Sequence, residues 1–219
     1  MQQRIRLTLA VSIAAGLISA GCCDSPTGPD GDGAPDYPER TSPENAIAKL
    51  EMAYEAMDAD EYLDCLSEDF IFYVNPPDTL DFPPLPPFWD RAVEDTIARR
   101  MFRESSGIDS IRVRLTQDGD PEEIPGEEPA DPSSWRYTET ARVRIYLPQD
   151  FYFYADCGAV FLIRPDESAV GRNGEALWEI SEWHDDEDPP RRGREMPSWS
   201  RIKAYFGGLF DDKDDDRGD

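Results

Sequence analysis

Apolar residues near the start of the globular region recur at the spacing of one helical face. This stripe consists of Ile47, Leu50, Tyr54 and Met57. Steps of three and four are typical of an amphipathic helix. Ser42 and Pro43 stand just before it, where a serine hydroxyl can cap a free amide and a proline loses no hydrogen bond. We therefore predict a helix that begins after Ser42 and turns its apolar face towards a core.

Acidic and proline-rich stretches divide the next part of the chain. The acidic stretch 58–60 interrupts the first helix and starts a second, short one, after which an aromatic strand follows over 70–74. Six prolines between 75 and 87 exclude a helix or a central strand. We expect a loop there that covers a pocket or a sheet edge. A third helix begins at Asp90, which caps it.

Alternation of apolar and polar residues marks the second half of the domain. It predicts four strands, over 108–117, 135–147, 151–164 and 177–184. A last short helix begins at Ser198 and ends at Gly207, and its aromatic residues predict that it docks on the domain. Helices that precede a run of hairpin-joined strands indicate an α+β fold. In such a fold the helices pack on one face of a curved antiparallel sheet that forms a roll.

The first 21 residues have the order of a bacterial export signal. Arg4 and Arg6 precede an apolar core over 7–18, which is too short for a transmembrane helix of about 20 residues. The core ends in Ser-Ala-Gly-Cys, residues 19–22, which resembles a bacterial lipobox, whose cysteine is acylated and becomes the new N-terminus. We predict lipidation of Cys22 and a lipid-anchored position at the bacterial cell envelope. An ordinary secretory signal is the alternative.

These observations predict the organisation of the whole chain. Glycine, proline and aspartate dominate the stretch after Cys22, and such a composition is typical of a flexible tether. The predicted parts are a lipoprotein signal peptide over 1–21, a disordered tether over 22–41, an α+β domain over 42–190, a docking helix within 191–210 and a disordered acidic tail over 211–219.

The charge of the chain excludes one class of partner. Its formal net charge is −25, from 22 basic and 47 acidic residues. A surface of this sign repels nucleic acid phosphates and anionic membranes. We therefore predict no nucleic acid partner, and we expect the membrane to be reached only through the lipid anchor.

The order of elements resembles the nuclear-transport-factor-two-like superfamily, the cone-shaped fold of ketosteroid isomerase and polyketide-cyclase-like proteins. The matching features are the helix start at Ser42, the acidic joint at 58–60, the entry into the first strand at Asp69, the helix after Trp89 and the closing strand from Leu177. The resemblance covers about residues 42–186. It implies an apolar pocket between sheet and helices, which serves isomerases, cyclases or dehydratases in some members and binding alone in many. Some members dimerise through the outer face of the sheet. A different α+β domain, such as a cystatin-like one, is the alternative.

Two residues are candidates for acid–base chemistry. His184 is the single histidine and is followed by two aspartates, so it could be a general base or a solvated residue at the rim of the sheet. Asp156 lies in an apolar strand, where a buried carboxylate needs a partner. It could serve a pocket, as could Tyr54 or Tyr73, or it could face an arginine on the neighbouring strand, Arg142 or Arg144.

The remaining cysteines, Cys65 and Cys157, leave two alternatives open. In an oxidising envelope they could form a disulfide bond, and two buried free thiols are equally compatible with the sequence. One histidine and two distant cysteines give no metal-ligand spacing, so we predict no metal and no cofactor.

Together these features favour an envelope lipoprotein with one small domain that binds an apolar small molecule or an envelope protein without catalysis. The alternative is a small isomerase, cyclase or hydratase that acts on an apolar substrate, with Asp156 or His184 as the base. A third hypothesis is a homodimer that uses the outer face of the sheet for structural contacts.

Overall fold

The computed structural model describes residues 35–80, 84–126, 132–186 and 198–209. Its helices are α1 (Pro43–Ala56), α2 (Ala59–Asp64), α3 (Arg91–Met101) and α4 (Trp199–Gly207). Its strands are β1 (Leu66–Tyr73), β2 (Phe88–Asp90), β3 (Ser110–Gln117), β4 (Glu122–Ile124), β5 (Ser134–Tyr146), β6 (Tyr152–Val170) and β7 (Ala176–Asp186). No helix in these ranges is long and apolar enough to cross a membrane. The predictions for the signal peptide, Cys22 and the acidic tail lie outside the described residues.

The first two helices begin where the sequence predicts. The Ser42 side chain accepts a hydrogen bond from the amide of Asn45 at 3.2 Å, and Pro43 opens the first turn. Met57 ends α1 in the left-handed conformation, with φ 55°. The Asp58 side chain then accepts from the amide of Glu61 and caps α2. Each helix thus begins at a side chain that satisfies one of its free amides.

One seven-stranded sheet forms the other layer. The strand order is β2-β1-β7-β6-β5-β3, and β4 pairs with the start of β5. Every pairing is antiparallel except that of β1 with β7, which is parallel. The predicted α+β class is therefore confirmed, and the sheet is mixed rather than wholly antiparallel. The parallel pair arises because the hairpins that begin at β3 bring β7, the last strand, beside β1.

The core lies between the inner face of this sheet and the helices. Helix α1 packs against β3 and β7, α3 against β1, and α4 against α3 and β6. Alternate residues of β6 point inward and are buried: Ala155, Cys157, Ala159, Phe161 and Ile163. The outward residues between them are partly exposed, as the alternation in the sequence predicts.

Helix α1 covers the free edge of β3 with two carboxylates. Glu55 accepts the amide of Val113 at 3.1 Å, and Glu51 accepts the amide of Leu115 at 2.9 Å. These amides face away from β5, and uncovered edge amides invite pairing with another chain. The i, i+4 spacing of the two glutamates on α1 matches the two-residue spacing of the amides on β3, so this part of the edge is satisfied internally.

Candidate functional site

Helix α4 occupies the space between the other helices and the sheet. Its buried residues are Trp199, Ser200, Ile202, Lys203, Ala204 and Gly207. The Trp199 ring stands edge-on to Trp183 of β7 and to Tyr54 of α1, at centroid distances of 4.5 and 5.3 Å. Its indole nitrogen also donates to the Tyr54 hydroxyl at 3.0 Å. The interior in which the resemblance implied a pocket is therefore occupied, at these residues, by the chain's own side chains.

A buried ion pair lies at the centre of this interior. The Lys203 ammonium is 2.7 Å from Oε1 of Glu94, and both side chains are almost completely inaccessible to solvent. Oε1 also accepts the Tyr62 hydroxyl at 2.5 Å, while Oε2 accepts the Trp89 indole at 2.6 Å. Three donors from three elements thus converge on one carboxylate.

Aromatic rings surround the ammonium on its remaining sides. Nζ of Lys203 lies 4.0 Å from the Trp183 ring centroid and 4.1 Å from that of Phe72, and it donates to the Tyr62 hydroxyl at 3.1 Å. Contact between a desolvated cation and aromatic faces is favourable by about 2 kcal/mol or more. The cage therefore offsets part of the cost of removing the ammonium from water.

Burial shifts the protonation equilibria of this cluster. Desolvation lowers the pKa of Lys203, and the charge and hydrogen bond of Glu94 oppose that shift. Desolvation and the nearby Glu94 charge raise the pKa of Tyr62 well above its ordinary value. The cluster contains an acid, a base and a phenol, but their polar atoms are turned towards one another. This arrangement suits the docking of α4 better than the binding of a substrate.

A second buried carboxylate fixes the first turn of α4. Oδ2 of Asp185, in β7, accepts the amide and the hydroxyl of Ser200 at 2.7 and 2.5 Å. Desolvation raises the pKa of Asp185 to about 6, although the Ser200 hydrogen bonds act in the opposite direction. Asp78 adds an ion pair with Arg201 at 3.0 Å and also accepts the Ser198 hydroxyl.

The last turn of α4 approaches α3 too closely for any side chain. A Cβ atom on Gly207 would lie 2.7 Å from Cγ1 of Ile97, closer than carbon atoms pack. The Gly207 carbonyl accepts from Nη1 of Arg100 at 3.0 Å. The sequence marked this glycine as a helix end, and the structure adds a packing role.

Asp156 lies on the outer face of the sheet, away from the interior. Its Oδ2 accepts the Tyr154 hydroxyl at 3.0 Å and lies 3.6 Å from Nε of Arg142 on β5. The sequence left open a pocket carboxylate or a partner of Arg142 or Arg144, and the observed geometry is that of the Arg142 pair. This position gives it no contact with the Glu94 cluster.

His184 also lies on the outer face. Its Nε2 is 2.8 Å from Oε2 of Glu182, and its ring stacks on Tyr73 with centroids 4.2 Å apart. It lies opposite Val160 of β6, four residues from Asp156, which corresponds to about 13 Å along the strand. The two candidate bases are therefore not brought together. His184 does line an open groove of about 630 Å³ with Tyr73, Pro87 and Arg136.

Cys65 and Cys157 are both buried free thiols, so the disulfide bond that the sequence left open is absent. The carbonyl of Cys65 accepts the amide of Ile180, whereas the Cys157 thiol contacts Asp185. Ile180 and Asp185 are about 16 Å apart along β7 at 3.3 Å per residue. A disulfide requires Cα atoms within about 7 Å. Burial also raises the pKa of Cys65 to about 12, which makes it a poor nucleophile.

No group of three or more histidine, cysteine, aspartate or glutamate side chains in the described part of the chain is arranged to hold a metal ion. Four cavities of that part, including the His184 groove, are open to solvent and have linings that exclude Glu94 and Lys203. The interior cluster thus lies apart from these surface cavities.

Comparisons with solved structures find proteins with a similar arrangement of helices and strands at low sequence identity. A protein from Novosphingobium aromaticivorans, provisionally described as an aromatic ring hydroxylase, superposes with a TM-score of 0.49 and 15% identity, over 77% of this chain and 96% of that one. A dehydratase, also so described provisionally, comes from Streptomyces avermitilis and belongs to the nuclear-transport-factor-two-like family. It gives a TM-score of 0.45 and 11% identity, over 66% of this chain and 92% of that one.

A ketosteroid isomerase-like protein from Erwinia carotovora gives a TM-score of 0.41 and 12% identity, over 67% of this chain and 94% of that one. No protein-family model and no curated protein matches the sequence. These likenesses concern the arrangement of helices and strands alone, and we carry no activity over from them.

The functional prediction from sequence missed Glu94 and Lys203. Glu94 lies in the first turn of α3, where an acidic side chain is ordinarily accounted for by the helix dipole and solvent. The one signal that could have found the pair is the position of Lys203, between Ile202 and Ala204 in a helix predicted to dock through its aromatic residues.

We predict that removing one member of the buried pair is costly. Lys203→Met leaves the Glu94 carboxylate without its counter-charge, and an unpaired buried charge typically costs about 3–5 kcal/mol of unfolding free energy. The double variant Lys203→Met with Glu94→Gln should lose less than the sum of the two single variants. Urea denaturation of the four proteins measures this coupling.

Arg99→Met is the control for this experiment, because it removes two exposed ion pairs, with Asp60 and Asp95, and should cost about 1 kcal/mol. A Lys203→Met loss no larger than the control loss would contradict the description of the pair as a structural centre.

We also predict a pH dependence that Asp185 generates. Its pKa in the folded state, about 6, lies above the ordinary value of 3.8, so the folded protein holds this proton more tightly than the unfolded chain. The resulting stabilisation is complete below pH 3.8 and is lost as pH rises through 6. The unfolding free energy of Asp185→Asn, relative to wild type, should therefore rise by about 3 kcal/mol between these limits.

Urea denaturation across this pH range tests the prediction, with Asp186→Asn as the exposed neighbouring control. A difference between Asp185→Asn and wild type that stays constant with pH would count against it.

Proposed function

We propose that this chain is an envelope lipoprotein whose single α+β domain binds a partner through its surface and does not catalyse a reaction. The proposal that the domain binds through its surface and does not catalyse a reaction rests on the occupied interior. Trp199 and Lys203 of α4 are buried there, and the ammonium of Lys203 neutralises Glu94. A catalytic pocket requires free polar groups and room for a substrate.

The positions of the two candidate bases support the same proposal. Asp156 lies 3.6 Å from Nε of Arg142, and His184 lies beside Glu182 and on Tyr73 in an open groove. A general base works best beside a second group and in a site that excludes water. His184 is exposed to solvent on one side, and Asp156 already accepts from Tyr154 and faces Arg142 on the outer face, away from the interior. The isomerase alternative therefore gains no support from these contacts.

The proposal of an envelope anchor rests on the sequence of residues 1–22. The short apolar core and the small residues before Cys22 support acylation of that cysteine. Several acyl chains on one residue give stable anchoring, because each buried methylene contributes about 0.8 kcal/mol. The acidic tether would then hold the domain away from an anionic membrane surface.

Expression in a bacterial host with the Cys22→Ala variant tests the anchor. We expect the wild type to carry acyl mass and to partition into detergent, and Cys22→Ala to lose both properties. Cys23→Ala is the matched control, because it removes the adjacent thiol and should remain acylated. Intact mass and detergent partitioning give the result.

An unmodified, water-soluble wild type would contradict the anchor and favour ordinary secretion. The proposal that the domain is non-catalytic would be contradicted by a turnover that is lost in Asp156→Ala or His184→Ala. Circular dichroism of both variants checks that a lost turnover is not a lost fold.

A further inference from the structure

Four arginines lie together on the outer face of the sheet. In the pairing of β3 with β5, Arg112 lies directly opposite Arg144, and Arg114 lies directly opposite Arg142. All four are exposed. Neighbouring strands are about 4.8 Å apart and alternate residues about 7 Å apart, so the four Cα atoms form a compact rectangle. We call these four residues the arginine patch.

Like charges directly opposite one another destabilise a sheet. Within the described chain the patch has only loose counter-charges: Glu51 lies 3.6 Å from Arg114, and Asp156 lies 3.6 Å from Arg142. No carboxylate of the described residues forms an ion pair with Arg112 or Arg144. In a chain with more than twice as many acidic as basic residues, such a cluster is unexpected.

Aromatic residues border the arginine patch on one side. Tyr154 lies opposite Arg144 on β6, with the guanidinium 5.4 Å from its ring centroid. Tyr146 and Tyr152 form the next cross-strand pair, and Tyr152 is 61% exposed. Phe151 is 66% exposed beside them. Arginine and tyrosine are the residue types that protein interfaces favour and that dominate their binding energy, while lysine is depleted there.

We propose that the arginine patch and its bordering tyrosines bind a protein partner that presents closely spaced carboxylates. The guanidinium groups would hold the carboxylates in paired hydrogen bonds, and the tyrosine rings would pack against the adjoining surface of the partner. This inference rests on the proposed binding function and names the chemistry of the partner.

Charge distribution favours a protein partner over an extended polyanion. The chain as a whole has 47 acidic and 22 basic residues, and screening confines the field of the patch to about 8 Å at physiological ionic strength. Nucleic acid or an anionic membrane would extend beyond that range and meet repulsion. A second copy that faces the patch with its own patch would place eight guanidinium groups together, so self-pairing of this kind is unfavourable.

The test uses the purified full-length chain and a labelled synthetic peptide in which aspartate alternates with serine. Fluorescence anisotropy at low and at physiological salt measures binding, and a peptide with asparagine for aspartate is the ligand control. We expect the aspartate peptide to bind and the asparagine peptide not to bind. Loss of one charge-assisted contact should weaken binding about tenfold, so Arg112→Gln with Arg144→Gln should weaken it about a hundredfold.

Arg103→Gln with Arg172→Gln is the matched control, since it removes two exposed arginines outside the patch and should leave the affinity unchanged. Absence of peptide binding at low salt, or equal loss in the control, would overturn the proposal. Tighter binding of single-stranded DNA or phosphatidylglycerol vesicles through the same arginines would also overturn it. So would a homodimer that becomes monomeric in the Arg112 and Arg144 variant, as measured by light scattering.

These outcomes are independent of the anchor, because acyl mass and detergent partitioning do not involve the arginines. A failed binding test therefore leaves the lipoprotein proposal standing, and a failed Cys22 test leaves the partner proposal standing.

Discussion

The structure depends on the burial of one ammonium group, that of Lys203, inside the domain. Moving a cation out of water costs several kcal/mol, and an opposite charge repays this only with good geometry. Here Glu94 accepts from Lys203, Tyr62 and Trp89, and the rings of Phe72 and Trp183 cover the ammonium. These groups come from α2, α3, β1, β2 and β7. Lys203 of α4 therefore completes a centre to which both the helices and the sheet contribute.

The same centre explains why the interior and the surface have different roles. Side chains of α4 fill part of the space between the other helices and the sheet, and Asp185 and Gly207 fix the two ends of that helix. In the function that we propose, recognition takes place at the surface, where the charges are unevenly placed. Glutamates of α1 cover the edge of β3, while the arginine patch projects from the outer face of β3 and β5.

Local signals in the sequence predicted most elements of this fold. Cap residues such as Ser42 and Ser198 mark helix starts, and alternation marks the long strands, because these features act over a few residues. Contacts between distant residues were harder to predict. The sequence placed the start of the first strand at Phe70, whereas β1 begins at Leu66, since pairing of Leu66 with Ile180 of β7 extends it.

The candidate site, too, could be predicted only where its contacts are between neighbouring elements. The sequence identified Asp156 as a carboxylate that needs a partner and named Arg142 as one candidate. This pair could be predicted because the two residues lie on strands that are consecutive in the chain and pair with each other. The sequence could not identify the pair of Lys203 and Glu94, which are far apart in the chain and lie on helices with no fixed register to each other. The pairing of four arginines likewise depends on the register of β3 with β5, which alternation alone does not specify.

Native-state hydrogen exchange of the α4 amides tests most directly whether this helix is part of the core. If α4 completes the core, the amides of Ile202, Lys203 and Ala204 should open only with the global unfolding that exposes the amides of β6. Their protection free energies should then equal those of Ala159 and Phe161. Fast exchange in α4 while β6 stays protected would mean that the helix separates from an intact domain, and the account of an occupied interior would be wrong.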